Sequence, residues 1–151
     1  RLAQFAAMVV NSSHLVSKVL DIKDVAALRQ LFSGLQVNAY WQTHYRFDVL
    51  SPPSTKNIGA GAVDNLLLNT VALFLFSYGR QQQLPHYVSR SLKLLEHLPP
   101  ERNNIIADFA NFGVKINTAF ESQGLLELKN NYCSHKKCLQ CSVGNKILKL
   151  I

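Results

Sequence analysis

The sequence is poor in cysteine and contains no long hydrophobic run. Its three cysteines all lie within residues 133–141. An odd, clustered set does not fit the disulfide framework of a secreted protein, so we expect a reducing compartment, the cytoplasm. The longest apolar run, residues 66–76, is interrupted by Asn69 and Thr70 and is shorter than the ~18 residues that a membrane span needs. We therefore expect a buried core helix and no membrane partner.

Motifs for catalysis are also missing. The Gly-Ala-Gly sequence at residues 59–61 lacks the preceding strand and the following lysine of a phosphate-binding loop. Ser54, Ser77 and Ser91 lack the strand–turn–helix context in which a nucleophilic serine is presented. No catalytic constellation is found in the sequence, which leaves open whether the whole protein is an enzyme.

The composition is typical of a folded domain. Of the 151 residues, 48 % are hydrophobic and 17 % are charged, and the low charged fraction argues against disorder. A chain of this length buries roughly two-thirds of its unfolded surface and needs no metal or disulfide to be stable. The chain opens with Arg1 inside an apolar helical pattern, so we expect it to be the C-terminal part of a longer protein.

Apolar residues recur at three- and four-residue steps, the spacing of one face of a helix. No strand alternation of useful length is present. The predicted fold class is all-α, with residues 1–151 forming a single orthogonal multi-helix domain of about seven or eight helices. The pattern predicts helices over about residues 2–10, 14–20, 25–32, 39–45, 62–78, 85–98, 102–112 and 118–132, and a last helix or turn over 141–150.

Several residues occupy positions typical of helix ends. Asp21 is predicted to cap the third helix and Asn38 the short aromatic helix that follows. Thr118 and Glu121 have the spacing of a capping box, in which each side chain accepts a hydrogen bond from the backbone N–H of the other residue. Gly79 is predicted to end the central helix.

Four ring-bearing residues are close together in the predicted short helix. Tyr40, Trp41, His44 and Tyr45 share one face at helical spacing. We favour a core stripe with a hydrogen-bonded histidine. The alternative is an aromatic and basic surface that also includes Arg46 and stacks on nucleic-acid bases.

The cysteine segment has the one recognisable constellation of ligand chemistry. Cys133, His135, Cys138 and Cys141 could supply a Cys₃His set, since thiolates are soft donors and a Cys-x-x-Cys turn presents two sulfurs to one metal. Zinc is the first metal to consider and an iron–sulfur cluster the second. The segment is similar to the cluster loop of helical DNA glycosylases, but the usual fourth cysteine is missing. The favoured interpretation is three reduced thiols at a tight turn, without a cofactor.

Positive charge is concentrated at the C-terminal end. The formal net charge is +7, and no side-chain acid follows Glu127. Residues 129–151 form a basic, cysteine-containing tail that we expect to pack on the domain. Such a tail can be a solvated surface, or it can bind phosphate or another anionic surface. Its basic residues are Lys129, Lys136, Lys137, Lys146 and Lys149.

Sequence strings spread over the whole chain resemble one known family. They are RLAQFAA at 1–7, AYWQTHYRF at 39–47, LNTV at 68–71, FSYG at 76–79 and NYCSHKKCLQCSVGNKIL at 131–148. In this order they resemble the C-terminal half of domain of unknown function family 2851, uncharacterised proteins found mainly in Bacteroidetes. The resemblance implies an upstream, strand-rich half with acidic and histidine motifs, loosely similar to nuclease folds, where any catalytic groups would lie. Likeness of fold does not fix a function.

Three functional hypotheses follow. The first is a non-catalytic accessory domain that binds nucleic acid through its lysine-rich tail. The second is a structural helical cap that packs on the upstream strand-rich domain or on a second copy. The third is a domain stabilised by zinc or a cluster through Cys133, Cys138 and Cys141.

Overall fold

The computed structural model describes residues 2–11, 13–33, 37–53 and 57–148. Within these ranges the chain forms nine helices and one two-stranded sheet, which confirms the all-α prediction. Ser54 and Lys149 lie outside the described residues. The helices are α1 (Leu2–Asn11), α2 (Leu15–Asp21), α3 (Val25–Ser33), α4 (Ala39–Thr43), α5 (Ala60–Gln81), α6 (Pro85–His97), α7 (Asn104–Asn111), α8 (Ala119–Glu127) and α9 (Ser142–Leu148).

The chain divides into two compact units, Arg1–Leu94 and Leu95–Ile151. The first unit contains α1 to α5 and most of α6, and the second contains α7 to α9 together with the basic tail. The arrangement of residues 1–151 as a single domain with a tail packed on it stays a prediction.

Helix α5 supplies much of the buried surface of the first unit. Leu67 and Leu75 are fully buried, whereas Leu73 and Phe76 are 61 % and 40 % exposed, so the run that the sequence predicts as a buried core helix is only partly buried. Between Leu67 and Ala72 the backbone makes π-helical hydrogen bonds, so the helix widens locally without breaking. Leu28 and Phe32, which are both buried, lie on α3, which packs against the first part of α5.

Helix α5 is also the one helix in the described ranges that is long and apolar enough to cross a membrane, judged by length and composition alone. Core helices of soluble proteins meet the same criteria, so the observation is weak evidence for a membrane. The apolar run at residues 66–76 is part of this 22-residue helix, and about a third of its most apolar stretch is buried. The lack of a membrane partner stays a prediction.

The corner between α5 and α6 depends on Gly79. The sequence predicts that Gly79 ends α5, but the helix continues to Gln81. A Cβ atom at Gly79 would lie 2.8 Å from the backbone nitrogen of Val88 and 3.0 Å from the carbonyl oxygen of Leu84. The glycine is therefore needed for the close approach of the two helices and not for a helix stop.

Arg90 of α6 holds the C-terminal end of α2. Its guanidinium donates hydrogen bonds of 2.6 Å to the carbonyl oxygens of Val19 and Leu20, and a further one to that of Ile22. These are carbonyls that a helix end leaves without intrahelical partners. Burial lowers the pKa of Arg90, while the nearby Tyr87 and Asp21 act in the opposite direction.

The second unit is organised around a buried serine. Ser122 of α8 is fully buried, and its hydroxyl donates to the carbonyl oxygen of Ala119 at 2.9 Å. It also accepts a hydrogen bond of 3.1 Å from the backbone N–H of Glu101. The side chain of Gln123 in turn donates to the Glu101 carboxylate at 2.8 Å. These contacts fix the start of α8 against the Pro-Pro segment that follows α6.

Two of the predicted caps occur as expected. Asn38 accepts a hydrogen bond from the Tyr40 N–H at 3.0 Å, and the Thr118–Glu121 capping box is present with both of its reciprocal bonds. The prediction for α3 was wrong: Asp24, and not Asp21, accepts a bond of 2.8 Å from the backbone of that helix, at Ala27. Asp21 is instead the last residue of α2.

A short β-hairpin replaces the end of the predicted aromatic helix. Helix α4 stops at Thr43, and the antiparallel strands β1 (His44–Arg46) and β2 (Val49–Leu50) follow. The backbone N–H of Ser51 donates to the carbonyl oxygen of Thr43 at 2.7 Å. This bond to the returning chain replaces the helical continuation that the spacing of the aromatic residues predicted.

Candidate functional site

The hairpin carries the most exposed group of large side chains in the first unit. Tyr45 is 79 % exposed, Phe47 75 % and Leu50 78 %. Arg46, between the two aromatic residues, is also exposed and makes no ion pair with a described residue. Exposed side chains of this size, gathered on one short element, are typical of interaction surfaces.

The hairpin rests on rings contributed by α4. The Tyr40 and His44 rings stack at 3.9 Å, and the Trp41 ring meets the Phe47 ring edge-on at 4.9 Å. The Tyr40 hydroxyl accepts a hydrogen bond of 2.8 Å from the backbone N–H of Asp48, at the turn. Of the four residues of the predicted core stripe, Tyr40, Trp41 and His44 therefore pack beneath the hairpin, whereas Tyr45 is exposed.

The basic tail presents its lysines to solvent. Lys129, Lys136, Lys137 and Lys146 are all exposed, and none makes an ion pair with a described residue. The nearest acid in the sequence, Glu127, accepts a hydrogen bond from the Asn131 side chain instead. These four lysines therefore keep their charge available for an external anion.

A tight turn presents the lysine pair at the centre of this tail. Helix α8 continues as a π-helix over Leu128–Cys133. The N–H of Lys136 then donates to the carbonyl oxygen of Cys133 at 3.1 Å, and the N–H of Lys137 donates to that of Tyr132 at 3.0 Å. With Lys136 in the left-handed conformation (φ 52°), these two bonds make a Schellman motif, the usual glycine-containing helix stop.

The four predicted metal ligands differ in their surroundings. Cys133, His135 and Cys138 are exposed, whereas Cys141 is buried. The Cys141 sulfur accepts a weak hydrogen bond of 3.5 Å from the Gly144 N–H in the first turn of α9. In the part of the chain that the structure describes, no three His, Cys, Asp or Glu side chains are grouped so that they could hold a metal ion.

Most of the chain matches a known protein family. The family model described as "Protein of unknown function (DUF2851)" matches residues 1–104. The chain belongs to this family. The matched range of DUF2851 includes the hairpin and ends before the lysines and cysteines of the tail. No curated protein and no solved structure matches the chain.

The sequence predicted the tail lysines, and it offered Tyr45 and Arg46 as part of an alternative aromatic and basic surface, but on a helix and without Phe47. In this DUF2851 chain, the signal for the hairpin is a β-prone segment on each side of Asp48, which has φ 58° at the turn. Asp residues tolerate the left-handed conformation, and this favours a turn over continued helix. The spacing of the aromatic residues at 40–45 also fits one face of a helix, so the sequence pattern does not distinguish a hairpin from a continued helix.

Proposed function

We propose that this chain is a non-catalytic accessory domain that binds nucleic acid through its basic tail. The observation that carries the proposal is the exposure of Lys129, Lys136, Lys137 and Lys146 on a segment without side-chain acids. Lysines placed in this way neutralise backbone phosphates and release condensed counterions, which gives binding that depends little on base sequence.

Two triple variants with equal charge change test the proposal. In the first, Lys136, Lys137 and Lys146 are replaced by Gln. We expect its affinity for a DNA duplex, measured by fluorescence anisotropy at low salt, to fall about tenfold or more because three phosphate contacts are lost.

The matched control replaces three exposed lysines from other parts of the chain, Lys18, Lys23 and Lys115, by Gln. It lowers the net charge by the same amount, so it measures the contribution of general attraction. Equal weakening by the two variants would mean that the net charge of the chain, and not the tail, determines binding. No binding by the unmodified protein would end the proposal.

A second candidate function is supported by the apolar face of the same tail. Val143 and Ile147 are 52 % and 56 % exposed and lie about one turn apart on α9, and Leu139, in the 3₁₀ turn that precedes α9, is 76 % exposed. Such a face fits a structural cap that packs on an upstream strand-rich domain or on a second copy. Light scattering tests whether two copies of the chain form a dimer through this face. A dimer that dissociates when Val143 and Ile147 are replaced by Ser would support such packing, and a monomeric wild type would argue against it.

We propose metal-stabilised folding as a third candidate. Its support is the chemistry of Cys133, His135, Cys138 and Cys141, since zinc prefers thiolate and imidazole ligands. The turn over residues 133–138 would have to reorganise to bring them together. Metal analysis of protein purified without a histidine tag tests this, because zinc or iron well below one equivalent would contradict a resident ion.

A further inference from the structure

The residues that the hairpin exposes have a specific chemistry. The side chains of Tyr45 and Phe47 are 79 % and 75 % exposed, and Arg46, which is also exposed, lies between them in the sequence. Proteins that bind single-stranded nucleic acid combine these two groups, because each base stacks on an aromatic ring while a basic side chain contacts the backbone.

The hairpin is held in place before any ligand arrives. The rings of Phe47 and Trp41 make a T-shaped contact with their centroids 4.9 Å apart, and the N–H of Asp48 at the turn donates to the Tyr40 hydroxyl. A two-stranded hairpin without such support is only marginally stable in water. Because α4 supplies this support, little conformational entropy is lost when a ligand binds.

Charge favours a polyanion over other occupants of this apolar surface. The first unit, residues 1–94, contains nine basic and four acidic residues, a formal charge of +5. Within the hairpin, Arg46 is unmatched by any described acid, and Asp48 is the one carboxylate. An apolar protein partner or a second copy has no need of this positive potential, whereas a nucleic acid is attracted by it.

We propose that the hairpin over residues 44–50 is a stacking platform for unpaired bases, so that the chain binds single-stranded nucleic acid. This inference rests on the proposed function only for the class of ligand, since the hairpin and the basic tail are different surfaces. The tail lysines attract any nucleic acid, and the hairpin selects strands whose bases are free to stack.

The test compares a twelve-nucleotide oligo-dT with a duplex of equal length. In the test variant, Tyr45 and Phe47 are both replaced by Leu, which keeps apolar area and removes the rings. We expect its affinity for the single strand to fall about tenfold or more, because stacking contributes severalfold to a hundredfold per base. Affinity for the duplex should stay within about twofold, since paired bases are not free to stack.

Two controls identify the cause of any loss. Replacing Val9 and Val10 by Ala removes exposed apolar area from α1, outside the hairpin, and it should leave both affinities unchanged. The single tryptophan, Trp41, is in contact with Phe47, so its fluorescence should change when oligo-dT binds, and circular dichroism verifies that the variants are folded.

The outcomes separate this inference from the proposed function. Loss of single-strand binding in the ring variant, with the duplex still bound through the lysines, supports both. Unchanged or equally reduced affinity for the two ligands overturns the platform and leaves the tail proposal standing. A dimer of the unmodified protein that dissociates in the ring variant would assign the hairpin to a second copy and overturn the inference as well.

Discussion

At the scale of single residues, two positions without large side chains are as informative as the charged ones. Gly79 and Gly144 each lie so close to a neighbouring backbone that a Cβ atom would collide with it. Gly79 faces the start of α6, and Gly144 faces the carbonyl group of Cys138. Both glycines are therefore packing requirements, and sequence reasoning assigns such residues to helix ends because it cannot see the chain that approaches them.

We expect the substitution Gly79→Ala to destabilise the protein by about 1–3 kcal/mol, because the new methyl group forces α5 and α6 apart. The backbone atoms of Val88 and Leu84 that it would meet belong to a corner and have little room to move. Thermal and urea unfolding measure the change.

The control for this prediction lies in the same helix. A methyl group added at Gly61 of α5 would meet no atom within 4 Å beyond its own stretch of helix, so Gly61→Ala should cost nothing and can stabilise by up to about 1 kcal/mol. If both substitutions changed the free energy of unfolding in the same direction, the close approach at Gly79 would not be the cause.

At the scale of elements, a helix end or turn can be predicted from the sequence where residues close together in the chain are sufficient to form it. The capping box at α8 was predictable because Thr118 and Glu121 need only each other and the backbone between them. The hairpin could not be predicted in this way, because the aromatic residues at 40–45 have the spacing of a helix. The hydrogen bond that ends the helix at Thr43 comes from Ser51, eight residues later in the chain. Lys136 in the left-handed position was equally hidden, since a glycine is the usual marker of such a turn.

The capping box allows a quantitative prediction for α8. Replacing Thr118 by Ala removes the acceptor of the Glu121 N–H and should lower the free energy of unfolding by about 1 kcal/mol. Thr118→Ser keeps the hydroxyl and should restore most of that loss. Ser89→Ala, at an exposed position of α6, is the control and should change stability by less than about 0.5 kcal/mol. A loss at Ser89 as large as that at Thr118 would contradict the assignment.

At the scale of the whole molecule, the sequence predicted the helical class and the accumulation of charge, but not the division into units Arg1–Leu94 and Leu95–Ile151. Helical periods and lysine counts are local properties that a sequence displays directly. Which helices group together depends on contacts between distant residues, and the sequence contains no local mark of them. The metal-ligand hypothesis stays a prediction for the same reason, because spacing alone does not determine where side chains point.

The salt dependence of duplex binding measures how many charges of the whole chain contact phosphate. If four or five lysines of the tail contact phosphates, the logarithm of the duplex affinity should fall with the logarithm of salt concentration with a slope of about −4. The variant lacking Lys136, Lys137 and Lys146 should show a slope shallower by about 2–3. A titration from low to physiological salt measures both slopes, and identical slopes would show that these lysines do not contact phosphate.

The left-handed lysine of the Schellman turn has a consequence for engineering this protein. Lys136 has φ 52°, a backbone conformation that costs a glycine about 1 kcal/mol less than it costs a lysine. Substitution by Gly thus relaxes the backbone and deletes a cation in the same step, so thermostability and anion affinity move in opposite directions. A screen that rewards heat resistance alone would select against the side chain that we propose as a phosphate contact.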